Sequence, residues 1–136
     1  MISRTELTLR YAAGAALATL VNLATQWLSF HFYRGTGEFL LGILAGTATG
    51  LASKYLIDKF WIFDDPSLKL AENLHKFALY CVTGAFTTAL FWGTEATTAS
   101  LSDDKAMRYL GAVIGLSAGY ILKYHLDRRF VFWTRR

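Results

Sequence analysis

Charged residues vanish from this chain in four long stretches. No Asp, Glu, Lys or Arg occurs for 23 residues between Arg10 and Arg34 or for 15 between Glu38 and Lys54. The same holds for 18 residues between Lys76 and Glu95 and for 14 between Arg108 and Lys123. A helix that crosses a bilayer needs about 20 mostly apolar residues. The first stretch has that length alone, and the third reaches it once Glu95 is admitted near one end. The other two reach it only by including a terminal Lys-Tyr-x-x-Asp segment. The pattern predicts spans near residues 9–32, 38–59, 75–99 and 106–127. Gly35-Thr36-Gly37 and Ser102-Asp103-Asp104 supply turn residues within each pair. In the central connection, Asp65 is placed to cap a short surface helix begun by Pro66 and running through Leu68 and Leu70 to Leu74.

The second and fourth of these stretches are copies. Leu41-Gly42-x3-Gly46-x3-Gly50-x3-Lys54-Tyr55-x2-Asp58-x4-Phe63 returns 69 residues later as Leu110-Gly111-x3-Gly115-x3-Gly119-x3-Lys123-Tyr124-x2-Asp127-x4-Phe132. The same offset superposes Thr19 on Thr88, Thr25 on Thr94 and Gln26 on Glu95. A repeat of this length is the primary organising feature of the chain. Residues 1–136 read as one domain, with repeat one at about 7–64, an interfacial linker at 65–74 and repeat two at about 75–133. The expected fold is an all-α integral membrane protein, four transmembrane helices arranged as two parallel-repeat helical hairpins.

Composition supports this reading. Charged residues make up 18% of the chain, against roughly 25% in a soluble domain, and four apolar spans leave little water-facing surface. A soluble bundle of four very apolar helices is the competing reading. A signal peptide fits the first stretch poorly, because that stretch far exceeds the usual apolar length of about 7–15 residues. The single cysteine, Cys81, excludes an intrachain disulfide. His31, His75 and His125 lack ligand spacing, so neither a metal nor another cofactor is expected.

Charge also orients the chain. Four spans put both termini and the central loop on one side, which gathers Arg4, Arg10, Lys54, Lys59, Lys69, Lys76, Lys123, Arg128, Arg129, Arg135 and Arg136. Only Arg34, Lys105 and Arg108 fall on the other. Positive residues stay cytoplasmic, so the termini are expected in the cytoplasm. Each half holds two spans, so both insert the same way up and their symmetry axis runs along the membrane normal. Topology alone accounts for the net charge of +4, without nucleic acid.

Gly42, Gly46, Gly50 and Gly111, Gly115, Gly119 each form a stripe along one helix face. Small residues let membrane helices approach closely where lipid supplies no hydrophobic drive. The stripe fits either plain helix packing or a close, sliding contact between the two halves. Phe60, Trp61, Phe63, Phe130, Phe132 and Trp133 close the second and fourth helices at headgroup level.

The candidate site is the pair Lys54/Asp58 with its copy Lys123/Asp127. A four-residue spacing suits a helical ion pair, and Lys54 falls about one turn inside the span, where ionisable groups face protein or a wet cavity. Snorkelling to the headgroups is the simpler alternative. With Lys59, Arg128 and Arg129, the lysines are candidates for binding the phosphate of a lipid. Asp58 and Asp127 would balance the lysines or hold sugar hydroxyls. Glu95 and Gln26, with Trp27 or Trp92 as an aromatic platform, are further candidates for the sugar. Asn22, Thr19, Thr25, Thr87, Thr88 and Thr94 would line a polar groove between the first and third helices. Threonines in membrane helices also bond to their own backbone. No nucleophile with a base and no glycine-rich phosphate loop is present, so no catalytic set is read.

Several segments carry a resemblance to a known family. They are Arg10-Tyr11 with the Ala/Gly-rich helix through Thr19 and Asn22, then Lys54-Tyr-Leu-Ile-Asp58-Lys-Phe-Trp-Ile-Phe63, and Lys123-Tyr-His-Leu-Asp127-Arg-Arg-Phe-Val-Phe132. Over about residues 7–133 the chain resembles the GtrA-like family of small four-helix membrane proteins. The family pattern at such helix ends is Asn-Phe-x-x-Asn-Arg-x-Trp-x-Phe. Charge replaces both asparagines here, at Lys54 and Asp58 and again at Lys123 and Asp127. The resemblance implies movement of a polyprenyl-phosphate-linked sugar across the cytoplasmic membrane for cell-surface polysaccharide glycosylation. A parallel homodimer and a membrane glycosyltransferase are the expected partners. Two other functions compete: a non-transporting scaffold for a glycosyltransferase, and a small proton-coupled multidrug-type exporter using Glu95.

Overall fold

The computed structural model describes residues 2–133 and divides into two compact units, Met1–Ser67 and Leu68–Arg136. Arg135 and Arg136, counted above with the cytoplasmic charges, lie outside the described residues. Every regular element among the described residues is helical. The first unit holds α1 (Arg4–Phe32) and α2 (Glu38–Ile57), and α2 runs on into a five-residue π-helical turn, Asp58–Ile62. The second holds α3 (Leu70–Leu101) and α4 (Lys105–Leu126), again continued by a π-helical turn, Asp127–Val131. The two π-turns stand 69 residues apart, in register with the sequence repeat.

Local chemistry sets the helix ends. Ser3 Oγ accepts from Glu6 N at 3.1 Å and caps α1. Gly37 starts α2 with φ of 78°, a left-handed conformation that a side chain would strain. Asp104 caps α4, its Oδ1 accepting from Ala106 N at 3.1 Å.

The central connection differs from expectation. No separate surface helix forms over 65–74. The chain has no regular structure from Asp64 through Lys69, and Leu70 already belongs to α3. Asp65 caps nothing, because its Oδ2 lies 2.9 Å from Lys59 Nζ and its Oδ1 accepts from Ser67 N at 3.0 Å. Pro66 disfavours helical backbone at the residue before it, which leaves the Asp65 carboxylate to an ion pair instead.

The pattern of burial is the reverse of a soluble domain. Leu20, Leu23, Leu44, Val113 and Ile121 are exposed, whereas Ala18, Thr83, Thr87 and the glycines Gly42, Gly46, Gly50, Gly111 and Gly115 are buried. Large apolar side chains outside and small or polar ones inside suit helices solvated by lipid. Three helical segments, Arg4–Phe32, Glu38–Ile62 and Leu70–Leu101, are long and apolar enough to cross a membrane. At 22 residues α4 is long enough but less apolar, carrying Arg108, Ser117, Lys123 and His125.

The glycine stripes pack within each hairpin. A Cβ on Gly42 would lie 2.5 Å from the Phe30 ring, and one on Gly46 would strike Asn22 and Gln26. A Cβ on Gly50 would meet Asn22 Cβ at 3.0 Å and the Ala18 carbonyl oxygen at 3.3 Å. In the second unit Gly111 abuts Thr98, and Gly115 abuts Thr94 and Phe91. Within each unit Gly42, Gly46, Gly50, Gly111 and Gly115 thus serve plain packing against the neighbouring helix, whereas Gly119 meets only the Thr87 carbonyl, 3.8 Å from a built Cβ.

Candidate functional site

The last turn of α2 places Lys54 and Asp58 on one face, and the π-turn then widens the backbone at Asp58. Asp58 N donates to the carbonyls of Lys54 and Tyr55, and the Asp58 carbonyl accepts from Phe63 N at 2.9 Å. A π-turn adds a residue to the helical circuit and recurs at functional sites. Here it turns the Asp58 carboxylate inward, where it is fully buried. Lys54 Nζ donates to Asp58 Oδ1 and lies 3.9 Å from the ring centroid of Tyr11 on α1.

The second unit repeats this cluster. Asp127 N donates to the carbonyls of Lys123 and Tyr124, and its carbonyl accepts from Phe132 N at 2.8 Å. Lys123 Nζ lies 2.6 Å from Asp127 Oδ2 and 3.6 Å from the Tyr80 ring centroid. Both lysine side chains are 13% exposed and both aspartates 0%, so the two copies are equally buried. Each ammonium thus meets a carboxylate and an aromatic face, which lowers the cost of holding charge away from water.

One residue separates the copies. Thr83 Oγ1 donates to Asp127 Oδ1 at 2.5 Å and accepts from Lys123 Nζ at 3.2 Å. Lys123 also donates to the Tyr80 carbonyl at 3.5 Å. The residue equivalent to Thr83 in the first unit is Gly14, which packs against Ile57.

Residues 10–132, which contain both clusters, match the protein-family model described as GtrA/DPMS, transmembrane domain. The chain belongs to this family. No curated protein and no solved structure matches it. Membership in the GtrA/DPMS family gives the chain a membrane role in the handling of lipid-linked sugars.

The remaining candidates of this GtrA/DPMS domain have different surroundings. Lys59 is 1% exposed, ion-paired with Asp65 and donating to Ser67 Oγ at 2.9 Å. Arg128 and Arg129 are exposed on the second π-turn and enter no ion pair among the described residues. Asn22 and Gln26 face the α2 glycines, with Gln26 Nε2 donating to Asn22 Oδ1 at 2.7 Å. Glu95 is exposed, as are Trp27, which stacks on His31, and Trp92. Thr19, Thr25, Thr87 and Thr94 all donate to carbonyls of their own helix.

Tyr80 and Thr83 enter the clusters without having been singled out from sequence, and Tyr11 stood there only in the family resemblance, not as a site residue. A signal for the tyrosines existed, because the 69-residue offset superposes Tyr11 on Tyr80. The same offset sets Gly14 against Thr83, and a mismatch inside a repeat points to nothing until the partners are seen.

Proposed function

We propose that this chain is a flippase that carries a polyprenyl-phosphate-linked monosaccharide across the cytoplasmic membrane for cell-surface polysaccharide glycosylation. One observation carries the reading: in each unit a lysine is held at buried depth by a carboxylate and a tyrosine face. A phosphodiester offers the same anionic oxygens as the aspartate, and a lysine binds phosphate as a mobile point charge. Substrate phosphate therefore exchanges with Asp58 or Asp127, and the carboxylate keeps the site neutral when it is empty. Exposed Arg128 and Arg129 gather the phosphate from the headgroup layer, and the polyprenyl tail lies against the exposed apolar helix faces. The sugar hydroxyls meet the aspartates and the polar set Asn22, Gln26 and Glu95, with Trp27 or Trp92 as a platform. Transport is passive, drawn by consumption of the sugar downstream.

The proposal includes four spans with both termini cytoplasmic. At 1.5 Å per residue α4 is about 33 Å long, enough for a hydrocarbon core of about 30 Å, and it repeats α2 in register. The chain is proposed to act without catalysis of its own, beside a membrane glycosyltransferase. Because the glycine stripes are buried in the hairpins, a parallel homodimer would assemble through other surfaces.

Reconstitution into proteoliposomes tests this. Protein-dependent translocation of a polyprenyl-phosphate sugar is expected, and it is expected to disappear when both ion pairs are neutralised as Lys54→Gln/Asp58→Asn and Lys123→Gln/Asp127→Asn. Full transport by that folded variant would remove the clusters from the mechanism. No transport by the native protein, with glycosylation in cells still dependent on it, would favour the glycosyltransferase scaffold. Glu95-dependent efflux of organic cations would favour the exporter.

A further inference from the structure

The two clusters match in burial, ring contact and ion pair, yet they differ in how many lysine hydrogens they use. An ammonium group has three N–H donors and no acceptor. Lys123 has an acceptor for each: Asp127 Oδ2 at 2.6 Å, Thr83 Oγ1 at 3.2 Å and the Tyr80 carbonyl at 3.5 Å. Lys54 donates to Asp58 alone among the described residues, and its other neighbour is the Tyr11 ring. Gly14 is the cause. It stands where Thr83 stands in the other copy, supplies no hydroxyl, and holds its backbone so close to Ile57 that a Cβ would lie 2.9 Å from Ile57 Cγ2. A bound phosphate needs lysine hydrogens that can turn towards it. Those of Lys54 meet only an aromatic face, which an anionic oxygen outcompetes, whereas those of Lys123 must first leave Thr83 and a backbone carbonyl.

We propose that the two copies have diverged in role: Lys54 takes the phosphate of the lipid-linked substrate, and Lys123 is a fixed ion pair that holds α3 to α4. The proposal rests on the phosphate-binding reading above and assigns it to one of the two sites. The repeat thus supplies one binding unit and one structural unit.

Equilibrium binding of farnesyl phosphate to the full chain in nanodiscs tests the assignment, with thermal stability measured alongside. Neutral pairs avoid leaving a buried charge alone. Lys54→Gln/Asp58→Asn is expected to weaken binding by about tenfold or more, and Lys123→Gln/Asp127→Asn to change it by less than about twofold while lowering the melting temperature. Exchanging the environments gives a second measurement. Gly14→Thr/Ile57→Leu, which copies the second cluster into the first, is expected to weaken binding in a folded protein. Thr83→Gly/Leu126→Ile is expected to create a second site. Equal loss from both neutralised pairs, or two equivalent sites in the native chain, would overturn the division of roles and leave the phosphate reading standing. Absence of binding by the native chain would overturn both.

Discussion

Thr83 donates its hydroxyl hydrogen to the buried carboxylate of Asp127 at 2.5 Å, joining α3 to α4 across 44 residues of sequence. The same hydroxyl accepts from Lys123, so one side chain bridges both members of the ion pair. A hydrogen bond to a charged group contributes about 2 kcal/mol. Thr83→Val keeps the shape and removes the bridge, so it is expected to destabilise the protein by about that amount. Chemical denaturation in mixed micelles measures the loss, and an unchanged midpoint would contradict the bridge.

The glycines predict an uneven response to added side chains. Gly46→Leu and Gly111→Leu drive carbon into Asn22 and Thr98 respectively, at about 3 kcal/mol or more. Gly119 meets only the Thr87 carbonyl, 3.8 Å from a built Cβ. Gly119→Ala is therefore expected to be neutral or stabilising, since alanine favours a helix by about 1 kcal/mol over glycine. A uniform penalty at all three positions in the same denaturation series would refute the packing described.

Lys59 and Asp65 form an ion pair in which both side chains are 1% exposed. Removing one partner leaves a buried charge uncompensated, at about 3–5 kcal/mol, whereas an apolar pair of similar volume is often tolerated. Lys59→Ala is expected to lower stability strongly and Lys59→Met/Asp65→Leu to recover most of it. If the double variant also keeps transport, Lys59 binds no substrate; lost transport in that stable variant would return it to the site.

Membrane topology is open to direct labelling. In a Cys81→Ala background, Thr36→Cys and Ser102→Cys are expected to react with an impermeant thiol reagent only from outside. Lys69→Cys and Arg128→Cys are expected to react only from the cytoplasm. Arg128→Cys reacting from the same side as Ser102→Cys would leave α4 outside the set of spans.

The four long helices were legible along the chain, because helix formation depends on local quantities, but α1 and α3 each begin five residues before the predicted start, at Arg4 and Leu70. The turn preferences of Gly37 and Asp104 place the breaks within each pair, whereas Lys76 ends no helix and lies buried inside α3. Lys54 and Asp58 were paired by their four-residue spacing, which one helix satisfies alone. At the central connection this reasoning misplaced Asp65, whose carboxylate had a better partner in Lys59 than in a helix end.

Sequence by itself determined the repeat, the helices and the ion pairs within a helix, since each follows from residues a few positions apart. Tertiary structure decided which way every helix faces. It turned the glycines of α2 towards α1, and Gly111 and Gly115 of α4 towards α3. It brought Tyr11 and Tyr80 over lysines 43 residues away, and it buried Lys59 while leaving Arg128, its counterpart in the repeat, exposed. The physical reason is that rotation of a helix about its axis costs no local hydrogen bond. Only packing against the neighbouring helix selects the angle, and with it the partners of each charge.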